Sequence, residues 1–176
     1  MKITTRRIAF AGVLAALYAA LTILEGVLVP TLAYGAVQFR FAEALSVLCC
    51  FTPAAIFGMV LGCVIANLFS TVGALDIVVG SFATLLACIV TWRMGKAALK
   101  KIWVCALVPL PTILSNAVII GALIAFYTPD SAFLPAWGLN ALTVGAGEAA
   151  VMYALGLPLL LWLRANKRMS HQLHVV

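Results

Sequence analysis

Charge is scarce in this chain, and acidic charge scarcest: 176 residues carry five Asp and Glu against eleven Lys and Arg, and only 9% of side chains are charged. With 65% hydrophobic side chains and a mean hydropathy of +1.18, too little polar surface is left to cover a soluble globule. The five cysteines, Cys49, Cys50, Cys63, Cys88 and Cys105, all lie in apolar surroundings and none forms a C-x-x-C pair. Neither a zinc site nor a disulfide framework is supported, and packing is their expected role. Both histidines, His171 and His174, fall in a polar tail, where solvation is expected rather than metal binding. The sequence has no H-E-x-x-H and no G-x-S-x-G, so the motif grounds for an intramembrane enzyme are missing, and no cofactor or metal is implied. It also has no Walker A run, so any use of ATP has to come from a partner.

What the chain does have is long apolar runs, which define an all-α polytopic membrane protein, a single integral domain over residues 1–176. Six helices are expected at about 8–29, 37–51, 54–69, 76–92, 102–127 and 140–163. The first run is too long for a signal-peptide core and lacks an Ala-x-Ala cleavage pattern, so it reads as a retained span. Ala11, Ala15 and Ala19 form a small-residue row beside Gly12, Ala16 and Ala20. Such a face lets another helix come close, either from this chain or from a separate membrane subunit. Pro53 is expected to start the third helix, whose Gly58, Gly62 and Ala66 share a face, and Pro109 and Pro111 to kink the fifth. With six spans, the basic residues of both tails fall on the same side as Arg93, Lys96, Lys100 and Lys101. The positive-inside rule makes that side the cytoplasm, with both termini on it, so the net charge of +6 reports orientation in the lipid bilayer and not nucleic-acid binding.

Polar side chains within the spans are the candidates for function. Arg40 and Glu43 lie three residues apart and share a helix face. A charge inside a membrane needs a partner, a ligand or a water-filled cavity. The plainer alternative is an Arg40 that snorkels to the interface and ties down Glu43. Counted at about 1.5 Å per residue, Glu25, Arg40, Glu43, Asn67 and Asp76 fall in roughly the outer third of the bilayer. Asp76 would there cap the fourth helix. Asn116 and Glu148 lie nearer the midplane, Glu148 about 13 Å below the outer end of its helix. A tie between Glu148 and Asn116 as polar glue between helices is the alternative to a ligand role. Polar groups in the outer half and almost none in the cytoplasmic half describe a pocket loaded from outside, not an ion pore. A stand-alone proton-coupled carrier using Glu43 and Glu148 is the competing reading, but no inverted repeat or pair of broken helices supports it.

Val37-Gln38-Phe39-Arg40-Phe41-Ala42-Glu43-Ala44-Leu45, the Phe51-Thr52-Pro53-Ala54-Ala55 turn, the stretch from Gly62 to Leu68 with Asn67, Leu75-Asp76-Ile77-Val78 and Gly147-Glu148 occur in a telling order and spacing. Together they resemble the QueT-type queuosine-precursor transporters, the substrate-binding (S) components of energy-coupling factor (ECF) transporters, from the first span to Pro158. The resemblance implies a six-helix S component that captures a 7-deazaguanine outside. It would work with a transmembrane coupling subunit and two cytoplasmic ATPases, docking through the Ala11, Ala15, Ala19 row. For such a ligand one carboxylate would accept two parallel hydrogen bonds from the donor edge, and a second would neutralise the ammonium of the aminomethyl form. Asn67, Asn116 or Arg40 would serve the carbonyl, and Tyr34, Phe39 or Trp137 would stack on the ring. Which carboxylate takes which role stays open at this point; Glu148 is the candidate for reading the charged substituent or the donor edge at the pocket floor.

Overall fold

Small residues fill the inside of the bundle and large apolar ones cover its outside. Ala15, Ala42, Ala55, Ala66, Ala83, Ala87, Cys49, Cys63 and Cys88 are buried, whereas Val13, Val27, Phe57, Phe82, Leu114 and Leu142 are exposed. This is the arrangement expected where lipid is the solvent: the exterior needs no polar cover, and the interior gains from close backbone approach. The computed structural model describes residues 4–29, 39–70, 73–128 and 132–175. Its elements are α1 (Thr5–Leu28), a 3₁₀ helix α2 (Phe41–Cys50), α3 (Ala54–Asn67), α4 (Ala74–Lys100), α5 (Ile102–Tyr127), α6 (Phe133–Ala165) and a short α7 (Lys167–Val175). There is no strand among the described residues.

By length and composition α1, α4, α5 and α6 are able to cross a membrane. The expected second and third spans are realised as shorter apolar helices of 10 and 14 residues. Each is roughly 20 Å long at a rise of about 2.0 or 1.5 Å per residue, against a hydrocarbon thickness of about 30 Å. Pro53 does stand at the start of α3. The helix α4 continues past Trp92 to Lys100, so Arg93 and Lys96 ride on the helix. Asp76 is in its first turn without being its cap, a position held by Gly73, whose φ of 90° suits a residue without a Cβ. Within α5 the expected kink is a break: a first turn, Ile102–Cys105, gives way to a tight bend and the helix resumes at Leu110. The last span begins at Phe133 and not near Asn140, since Pro135 falls in the first turn, where its missing N–H costs no hydrogen bond. One-turn π segments, Asn116–Ile120 and Met152–Gly156, interrupt α5 and α6.

The helix α1 lies directly on α3. A Cβ on Gly62 would stand 2.7 Å from the Tyr18 Cβ and 2.8 Å from the Ala15 carbonyl oxygen, and one on Gly58 would stand 2.8 Å from the Ala11 carbonyl oxygen. The Ala11, Ala15, Ala19 row is therefore taken up by α3 of the same chain, with Ala15 and Ala19 buried. Its neighbouring row, Gly12, Ala16 and Ala20, is the one left exposed. At the basic end Arg164 Nε donates to the Leu99 carbonyl oxygen at 3.4 Å, joining the ends of α6 and α4. An apolar plug of Val47, Val108, Met152, Leu160, Leu163 and Leu173 fills that half, with Phe10 of α1 packed against it.

Candidate functional site

A 3₁₀ helix has three residues per turn, so side chains at i and i+3 stand one above another. This geometry puts Arg40, Glu43, Ser46 and Cys49 in one row, all of them buried. Glu43 Oε1 accepts hydrogen bonds from the Tyr18 hydroxyl of α1 at 2.6 Å and from Thr84 Oγ1 of α4 at 3.5 Å. Ser46 Oγ and Thr112 Oγ1 pair at 3.0 Å, tying α2 to α5. Arg40 does not snorkel: it is 2% exposed, and its charge bears on Asp76, Glu43 and Glu148.

Asn116, at the head of the π segment in α5, donates from Nδ2 to Glu148 Oε1 at 3.0 Å and also lies beside the Glu43 carboxylate. The tie between Glu148 and Asn116 is thus real, but it uses only one of the two carboxylate oxygens. Glu148 lies near the middle of the 33-residue α6, deeper along its helix than expected because that helix starts earlier. Its carboxylate interacts electrostatically with that of Glu43, so the carboxylates expected at two levels share one cluster. On α3, Asn67 Nδ2 donates to the Asp76 carbonyl oxygen at 3.0 Å. Gly80 makes this possible, since a Cβ there would stand 2.6 Å from that Nδ2. Glu25 Oε2 accepts from the Phe41 backbone N–H at 3.3 Å, which joins the end of α1 to the start of α2.

What these bonds leave over is informative. Glu25 Oε1, Glu43 Oε2, Asn67 Oδ1, Asp76 Oδ2, Glu148 Oε2 and Thr22 Oγ1 are buried without a hydrogen-bond partner among the described residues. Each such group costs about 1 to 3 kcal/mol, and more when it is charged. Except for the Thr22 hydroxyl, all are carboxylate or amide oxygens and can be satisfied by a donor. Among the described residues the site is short of donors.

The aromatic expectations divide. Phe39 is half-buried and directly precedes Arg40, while Tyr34 lies outside the described residues. Trp137 is occupied elsewhere: its Nε1 donates to the Val118 carbonyl oxygen at 3.0 Å and its ring stacks on Phe133 at 6.4 Å, beside an apolar groove lined by Val79, Ile119 and Phe126. The aromatic residue that does join the cluster is Tyr18, absent from the sequence-based candidates, as are Thr22 and Thr84. A signal existed, because Tyr18, Thr22 and Glu25 follow one another at intervals of four and three and share a helix face.

A lipid-compatible exterior around a buried, acceptor-rich cluster defines an all-α, multi-pass membrane bundle. A family model described as QueT transporter matches residues 8–165, nearly the whole chain, and the chain belongs to the QueT transporter family. Membership points to transport of a queuosine precursor rather than to catalysis. Comparison with curated proteins and with solved structures gives no match.

Proposed function

We propose that this chain is the substrate-binding component of an ECF-type transporter. It lies in the cell membrane with both termini cytoplasmic, its six apolar segments forming one domain. It captures a 7-deazaguanine such as the aminomethyl form from outside. ATP-driven uptake then requires a transmembrane coupling subunit and two cytoplasmic ATPases. The observation that carries this reading is the set of buried oxygens left without donors among the described residues. A 7-deazaguanine brings a ring N–H and an amino group on one edge and, in the aminomethyl form, an ammonium, which is the chemistry those oxygens lack. Glu43 and Glu148 take these donors, Arg40 and Asn116 serve the ligand carbonyl, Phe39 stacks on the ring, and Asn67, Asp76 and Glu25 form the outer rim. The apolar plug at the basic end supports loading from the opposite side.

The exposed row Gly12, Ala16, Ala20 is the surface for the coupling subunit, in place of the row that α3 covers. Ala16→Leu is expected to block close approach of the partner helix while leaving the buried site untouched. Reconstituted with the coupling subunit and ATPases, the variant loses ATP-dependent uptake; purified alone, it binds ligand like the parent chain. Joint loss of binding and uptake, or no change in either, removes this face from docking. Uptake by the purified chain alone on a proton gradient, without ATP, overturns the ECF assignment.

A further inference from the structure

We infer that Tyr18 is the positioning residue of the ligand site: its hydroxyl holds one oxygen of Glu43 so that the other faces the ligand. This rests on the reading of Glu43 as a ligand contact. Tyr18 is fully buried, and its 2.6 Å bond to Glu43 lies in the range of a strong hydroxyl–carboxylate hydrogen bond. The two residues are 25 positions apart and on different helices, so the bond records tertiary placement and not local sequence. That placement is firm. The Tyr18 Cβ lies so close to Gly62 that any side chain there would collide with it, and the adjoining Ala15 backbone is equally close.

The Tyr18 bond and the longer Thr84 bond both go to Glu43 Oε1, Asn116 lies beside the same carboxylate, and Oε2 has no hydrogen-bond partner among the described residues. The terminal torsion of a glutamate is soft and nearly two-fold, so a carboxylate without such an anchor presents its oxygens in many directions. An anchored one presents a single acceptor in one direction, and the ligand need not supply the cost of ordering it. Tyr18 therefore acts on affinity through Glu43, without needing to touch the ligand.

The test is a double-mutant cycle on the purified full chain, titrated calorimetrically with the aminomethyl 7-deazaguanine. Tyr18→Phe keeps the ring and removes the donor, and affinity is expected to fall about five- to tenfold. In a Glu43→Gln background the same change is expected to cost less than about twofold, because the group it positions is already altered. Unchanged affinity in folded Tyr18→Phe overturns the inference. So does an equal loss in both backgrounds, which would make Tyr18 a direct contact or a packing residue. If Tyr18→Phe does not fold, Thr84→Val removes the weaker donor to the same oxygen. It is expected to cost about twofold in the parent chain and nothing in the Glu43→Gln background, and equal losses in the two overturn the inference. A parent chain that binds no 7-deazaguanine brings down the functional reading and this inference with it, whereas a binding parent with an indifferent Tyr18→Phe brings down this inference alone.

Discussion

Glu43→Gln is expected to weaken binding of the aminomethyl 7-deazaguanine by roughly 10- to 150-fold, about 1.5 to 3 kcal/mol, in a chain that remains folded. The change keeps size and shape. The Gln amide oxygen inherits the Tyr18 and Thr84 hydrogen bonds, which in Glu43 both go to Oε1. Its NH₂ group then occupies the place of Oε2, the oxygen without a partner among the described residues. A donor replaces an acceptor where the ligand presents a donor, so one hydrogen bond is lost and two N–H groups face each other. Titration calorimetry on parent and variant measures the ratio, and near-ultraviolet circular dichroism reports whether packing is retained. Equal affinities in a packed variant would take Glu43 out of the site.

Glu148→Gln is expected to cost more for the amine than for the nitrile form of the 7-deazaguanine. Asn116 engages one oxygen of Glu148, and the other has no partner among the described residues. That second oxygen can meet an ammonium with a charge-assisted bond worth roughly twice a neutral one, and the nitrile substituent offers it no donor. A loss of about 10- to 100-fold for the amine and under about fivefold for the nitrile is the expected pair of results. Equal losses for both would assign Glu148 to the donor edge common to the two ligands or to support of Asn116. No loss with retained folding would exclude it from the site.

How much of this was readable beforehand depends on the kind of residue. Arg40, Glu43, Asp76 and Glu148 stand out because a charged group amid apolar sequence is conspicuous, and all four are buried in the bundle. Tyr18 and Thr84 do not stand out, since tyrosine and threonine are ordinary inside membrane helices and only the fold reveals what their hydroxyls reach. The alignment of Ser46 with Arg40 and Glu43 depends on three residues per turn, a helix type that an apolar run does not announce. The alanine rows of α1 showed that some helix approaches closely, but composition does not say which row meets α3 and which stays open. The position of Trp137 depends on where its helix starts: because α6 begins at Phe133, the indole stands four residues on, against the Phe133 ring and Val118.

The family and the donor-poor cluster meet in one physical claim, that the buried oxygens are completed by the donor edge of a 7-deazaguanine. Calorimetric titration of the purified parent chain with the aminomethyl 7-deazaguanine, guanine and adenine tests it directly. Saturable one-to-one binding is expected, tightest for the aminomethyl form, weaker for guanine, which keeps the donor edge but lacks the ammonium, and none for adenine, which lacks the adjacent pair of donors. Absence of binding to the 7-deazaguanine, or adenine bound as tightly as the aminomethyl form, would contradict it.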